Sequence, residues 1–167
     1  MRNAETTLAI IRERGSTGLQ REDVYRRLSN PELYLRAYGR LYRNAGALTE
    51  GIDGQTVDGM CMDRIHAIIG LLRQEKFRWN PVRRVYIPKK NGKLRPLGIP
   101  NFDPDRRLQE VMRSILEAYY EPQFSPNSHG FRPNRGCHTA LKDIFIAWKG
   151  TKWFIEGDIK GCFESAS

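Results

Sequence analysis

Asn91-Gly92 stands between two short strand-forming runs, residues 82–87 and 94–99. That dipeptide in that setting is a strong short-range signal for a β-hairpin. The connecting stretch Pro88-Lys89-Lys90-Asn91-Gly92-Lys93 places three lysines at the tip, and Arg83, Arg84 and Arg95 fall on the arms. Lysines also protect an exposed sheet edge from unwanted pairing. Six bases on one hairpin without an acid exceed what edge protection requires, so the pattern favours a finger that grips phosphate.

The surrounding charge points the same way. The 167 residues carry 28 Lys and Arg against 19 Asp and Glu, a formal net charge of +9 and a pI near 9.7. Twenty of the bases are arginine, whose planar fork suits bidentate contacts to phosphate. Residues 76–102 contain eight bases and no acid, and residues 122–142 are acid-free as well. Such local fields attract polyanions, of which nucleic acid is the commonest.

Other features exclude several classes. No apolar run approaches the roughly 20 residues needed to span a membrane, and residues 1–20 lack the apolar block of a secretory signal. Three cysteines (Cys61, Cys137, Cys162) without a CxxC pair argue against a disulfide framework or structural zinc, and suit a reducing compartment. With 40% hydrophobic residues the chain can bury a core.

Periodicity predicts helices on both sides of the hairpin. Asn30 caps and Pro31 opens a first helix, in which Leu33, Tyr34, Ala37, Tyr38, Leu41, Tyr42 and Ala45 recur until Gly46. The tyrosine stripe reads as packing. Residues 46–54 form a turn-rich loop and 56–75 a second helix, with Met60, Ile65, Ile68, Ile69 and Leu72 inward. Asp103-Pro104-Asp105 opens an amphipathic helix through Leu108, Val111, Met112, Ile115, Leu116 and Tyr119, closed by Pro122. Residues 124–136 are loop. A further helix over 137–149 should turn Leu141, Ile144, Phe145 and Trp148 inward, and residues 153–158 should form a strand. This order is α+β.

The last strand ends in a carboxylate, Asp158, a place where a metal ion can be held firmly. Taken alone, Asp158 reads more readily as the cap of a following turn than as a metal ligand. His129, Cys137 and His138 lack a recognised metal-ligand spacing.

Several long motifs in order carry a resemblance: RRVYIPKKNGKLRPLGIP (83–100), LQEVMRSILEAYYEPQFSPNSHGFRPNRGCHTAL (108–141) and FIEGDIKGCF (154–163), with GIDGQTV (51–57) upstream. Together they closely resemble the reverse transcriptase domain of group II intron-encoded proteins, the maturases, over roughly residues 30 to 164. The resemblance implies the fingers and the start of the palm of a right-hand polymerase. It divides the chain into an N-terminal helical extension (1–54), fingers (55–150) and the start of the palm (151–167).

Matched residue by residue, it makes Asp158 the first catalytic aspartate and a Mg²⁺ ligand, with the Ile159 carbonyl beside it. It makes Phe163 the aromatic beneath the sugar that discriminates against a 2′-hydroxyl. Arg83, Lys89 and Arg95 approach the incoming nucleotide. RNA or template falls to Lys90, Lys93, Arg132, Asn134 and Arg135, and to Arg26, Arg27, Arg36, Arg40 and Arg43 of the extension. The implied partners are group II intron RNA, an RNA template with its DNA primer, and deoxynucleoside triphosphates, with a homodimer left open and no membrane. The implied compartment is the bacterial cytoplasm, an organelle being the alternative.

One departure matters. The family's second catalytic motif, a strand-turn with paired aspartates, is not in this sequence. One carboxylate cannot hold two metals, so these 167 residues are expected to be inactive alone as an RNA-directed DNA polymerase. Two rivals stand beside the polymerase: an RNA-binding splicing factor that does not polymerise, and the remnant of a decayed intron protein.

Overall fold

The computed structural model describes residues 3–20, 24–44, 46–58 and 60–159. Asn30 accepts a hydrogen bond from the Glu32 N–H at 3.1 Å and Pro31 sits in the first turn, so helix α3 spans Pro31–Tyr42. Two helices precede it, α1 (Ala4–Ser16) and the single turn α2 (Val24–Arg27). Helix α4 (Met62–Arg73) follows, then the hairpin strands β1 (Arg83–Pro88) and β2 (Leu94–Ile99). A wound turn at Phe102–Arg106 leads into α5 (Arg107–Tyr120), a 3-10 turn covers Glu121–Gln123, and α6 spans Cys137–Ala147. The described residues fall into two compact units, Met1–Gln123 and Phe124–Ser167.

In the first unit, α1 and α3 both pack on α5, and α4 packs on α3. The expected apolar positions meet here: Leu33, Tyr34 and Ala37 with Ile65, Ile68, Ile69 and Leu72, and with Leu108, Val111, Ile115 and Ala118. Each fully buried aliphatic side chain contributes about 1.5–3 kcal/mol relative to exposure. Helix α1 lies in the stretch expected as a helical extension (1–54) and supplies Ala4 and Ile11 to this core. It approaches closely because Gly15 has no side chain: a β-carbon there would lie 2.1 Å from the Tyr119 carbonyl oxygen. A second, smaller cluster joins Ala47, Val57 and Phe102.

Four expectations need correction. Helix α3 stops at Tyr42, so its run does not extend to Gly46. Helix α4 starts at Met62 because Val57 is buried in the smaller cluster, which takes the segment before it out of the helical path. Asp103 is extended (φ −122°, ψ 129°), the conformation favoured before proline, so α5 begins four residues later than expected. On α5, Met112 and Leu116 lie on the exposed side of the stripe.

The second unit departs further. On α6 the residues expected inward, Leu141, Ile144, Phe145 and Trp148, are exposed. Residues 151–159 form no strand. A strand exists through its ladder, and among the described residues the one ladder is β1–β2.

Candidate nucleic-acid interface

The hairpin is antiparallel, with Arg83 opposite Ile99, Val85 opposite Leu97 and Ile87 opposite Arg95. Opposed residues share a face and successive residues alternate. Arg83 and Arg95 therefore lie on one face with Val85, Ile87, Leu97 and Ile99, while Arg84 lies on the other with Tyr86. Four residues of strand separate the level of Arg83 from that of Arg95, about 14 Å. The tip is closed by the Gly92 N–H donating to the Lys89 carbonyl at 3.0 Å and the Lys89 N–H donating to Lys93 at 2.8 Å. Gly92 takes φ +77°, a left-handed angle open to glycine at little cost. The Asn91 side chain accepts from the Lys93 N–H at 3.2 Å. Lys89, Lys90 and Lys93 are all exposed on this reversal.

The base of the hairpin is held by groups that the sequence reading did not single out. Arg106 donates to the carbonyls of Pro100 (3.1 Å), Gly46 (2.9 Å) and Thr49 (3.0 Å), stapling the 46–51 loop to the end of β2. Burial, then the nearby Arg83 guanidinium, pull its pKa below the ordinary arginine value. Arg83 Nε donates to the Glu50 carbonyl at 3.1 Å, so the two guanidinium groups grip one loop. Arg107 is buried, its guanidinium 5.9 Å from the Tyr38 ring centroid and its Nη2 3.4 Å from Asp103. Burial lowers its pKa, and Asp103 opposes that shift. Nothing in the apolar period of α5 distinguishes these arginines from solvent-facing ones. What marks them is the chain turn before Arg107.

On the N-terminal helices the predicted RNA-binding arginines divide. Arg26 and Arg43 are exposed and Arg27 is half-buried. Arg36 pairs with Glu5, and Arg40 Nη1 lies 3.4 Å from Glu110, a carboxylate that also receives two bonds from Arg113. Burial, then proximity to Arg40, lowers the Arg36 pKa.

In the second unit, Arg132 Nη1 donates to the carbonyls of Ser125 and Ser128, each at 2.8 Å, and its guanidinium lies 5.2 Å from the Phe124 ring centroid. Arg135 donates to the carbonyls of Pro126 and Ser128. Asn134 is exposed at φ +57°. The loop is tied to α6 through His129, whose Nδ1 is 2.9 Å from Thr139 Oγ1 and whose Nε2 is 3.2 Å from Asp143. Asp158 and Ile159 are exposed and lie outside any strand. Phe163 lies outside the described residues. Among the described residues no group of three potential metal ligands gathers.

Residues 87–167 match the family "Reverse transcriptase (RNA-dependent DNA polymerase)". The chain is 52% identical, over 143 residues, to the group II intron-encoded protein LtrA of Lactococcus lactis subsp. cremoris, covering 85% of this chain and 24% of that protein. The chain is similar to a group II intron-encoded protein over most of its own length, and its C-terminal residues 87–167 to reverse transcriptases. It is also 49% identical over 138 residues to an uncharacterized 91 kDa protein in a cob intron of Schizosaccharomyces pombe, with coverage of 83% and 17%. The nuclear intron maturase 1, mitochondrial, of Arabidopsis thaliana is 38% identical over 100 residues, with coverage of 50% and 14%. This chain thus spans about a quarter or less of the length of these relatives. Among the described residues no helix is long and apolar enough to cross a membrane.

Proposed function

We propose that this chain serves an RNA-directed DNA polymerase and maturase of a group II intron, as the region that grips nucleotide and RNA. In this reading residues 1–54 are an RNA-contacting extension, 55–150 the fingers and 151–167 the start of the palm. The observation that carries it is the hairpin: an exposed, acid-free β-ribbon with Arg83 and Arg95 on one face and three lysines at its tip. A triphosphate or an RNA backbone laid along that face meets positive charge over about 14 Å. Lys89 stands at the end of the same path.

Asp158 and the Ile159 carbonyl are hard oxygen donors, the kind Mg²⁺ takes, and the exposed Asp158 carboxylate is accessible to an ion. They amount to a share of a metal site, since the chemistry needs ligands on both sides of the reacting phosphate. Bound there, magnesium would neutralise charge developing on the transferred phosphoryl group. The chain's own contribution is to orient the nucleotide with Arg83, Lys89 and Arg95, and to leave the primer 3′-hydroxyl in line with the α-phosphate. Phe163 would pack beneath the sugar. The cytoplasm of a bacterium is the compartment this reading favours, with an organelle the alternative.

The test is a chimera in which this chain replaces the matching 143-residue stretch of LtrA. Primer extension on an RNA template should occur with deoxynucleotides and vanish with Asp158→Ala, while RNA binding stays near its original strength. Phe163→Ala should admit ribonucleotides. The 167-residue chain alone should extend nothing. Robust extension by the Asp158→Ala chimera would sink the assignment, and splicing support without extension would favour a maturase that does not polymerise.

A further inference from the structure

One guanidinium holds three backbone carbonyls that lie far apart in the chain. Arg106 donates from Nε to Pro100, from Nη1 to Gly46 and from Nη2 to Thr49, at 2.9–3.1 Å. Its own N–H donates to the Asn101 carbonyl at 3.1 Å. Asn101 is buried and its side chain accepts the Ile52 N–H, so the 46–52 stretch is held at both ends. Ala47, near its start, is buried against Val57 and Phe102. The carbonyl that follows Thr49, that of Glu50, accepts from Arg83 Nε at 3.1 Å. Arg106 also fixes Arg83 from the sheet side, because Pro100 follows Ile99, the cross-strand partner of Arg83. The two like charges stand close enough for Arg83, after burial, to lower the Arg106 pKa. Without a fixed acceptor between them they would be driven apart.

A long arginine side chain samples many rotamers, and ordering it on binding costs affinity. The bond to Glu50 uses Nε, which orients the Arg83 guanidinium plane and leaves its Nη1–Nη2 edge for a bidentate phosphate contact. We propose that Arg106 is a positioning residue for nucleotide binding: through the 46–51 loop it presents the Glu50 carbonyl that pre-orients Arg83. This rests on the reading of Arg83 as a nucleotide-gripping residue and adds to it the group that aims the side chain. A lysine at 106 would keep the charge but lose the planar fork that spans three carbonyls.

The test is steady-state primer extension by the LtrA chimera carrying this chain, with the deoxynucleotide concentration varied. Arg106→Lys should raise the KM for deoxynucleotide about tenfold, the cost of ordering one arginine side chain, and leave kcat within about twofold. In an Arg83→Ala background the same substitution should change KM by less than about twofold, since no guanidinium is left to aim. Arg106→Gln should repeat this pattern, because it too lacks the fork. A merely structural staple behaves differently. The KM effects of Arg106→Lys and Arg83→Ala would then multiply, or KM would keep its wild-type value while the melting temperature falls. Either result overturns this inference and, provided Arg83→Ala alone raises KM, leaves the reading of Arg83 intact. Loss of the cooperative melt in both Arg106 variants would also overturn it, since the staple would then serve folding. A wild-type KM for Arg83→Ala would overturn the reading of Arg83 and this inference with it.

Discussion

Gly51 lies so close to Asn101 that a β-carbon on the glycine would stand 2.2 Å from the asparagine Oδ1 and 2.7 Å from its Cα. The same Oδ1 accepts the Ile52 N–H at 2.9 Å. The loop before α4 is thereby fixed to the end of β2, beside the Arg106 staple. Gly51→Ala must push these segments apart, and we expect it to destabilise the first unit by about 1–3 kcal/mol, the usual range for overpacking. Asn101→Ala removes this hydrogen bond from a buried asparagine and should cost about 1 kcal/mol. Chemical denaturation followed by tryptophan fluorescence measures both, and a wild-type midpoint for Gly51→Ala would contradict the contact.

Removing Asp103 strands the buried guanidinium of Arg107. Arg107 is 1% exposed and Asp103 8%, and two of the arginine's nitrogens, Nε and Nη1, already lack a hydrogen-bond acceptor in the protein. Asp103→Ala should therefore cost roughly 3 kcal/mol. Arg107→Met should cost less, because Asp103 keeps Arg64 at 3.6 Å. Thermal melts of the two variants test this order, and its reversal would show that Arg107 matters through packing against Tyr38.

Tyr34 supplies a pH dependence. Its hydroxyl is buried and donates to the Leu28 carbonyl at 2.8 Å, and burial, helped by the nearby Tyr25, raises its pKa well above the ordinary value near 10. In the unfolded chain the phenol ionises from about pH 10, whereas in the folded protein it holds its proton to higher pH. Its contribution is therefore fully present below pH 10 and declines as pH rises toward the folded-state value. Denaturation midpoints should fall between pH 9 and pH 11 more steeply for the wild type than for Tyr34→Phe. That variant should lose roughly 1 kcal/mol at neutral pH.

The hairpin tip should govern the salt dependence of RNA binding. Contacts to several phosphates weaken affinity by orders of magnitude between low and moderately high salt. Reversing Lys89, Lys90 and Lys93 to glutamate should flatten the slope of log affinity against log salt in a filter-binding titration. An unchanged slope would remove the tip from the RNA or triphosphate surface.

The hairpin was legible because its signals are local. Asn91-Gly92 sets the reversal and the flanking β-branched runs set the arms, so the sequence places it within a residue of its observed bounds. The Asn30-Pro31 cap and the apolar stripe of α5 were legible for the same reason. The arginine–carbonyl staples were not. Arg106 reaches carbonyls 57 and 60 residues earlier in the chain, and no spacing rule links them.

The sequence by itself determined the acid-free basic ribbon, the family motifs and the position of Asp158 in the chain, since these depend on neighbours within a few residues. Tertiary structure alone decided which arginines are braces and which face solvent. Arg83 and Arg106 share one loop, Arg36 and Arg40 meet carboxylates of other helices, and Arg43 stays exposed. An arginine's role is fixed by what its long side chain reaches, and chain folding sets that distance. The same holds for residues 153–158: their β-forming composition is written in the sequence, but a strand requires a partner to share its hydrogen bonds, and composition cannot supply one.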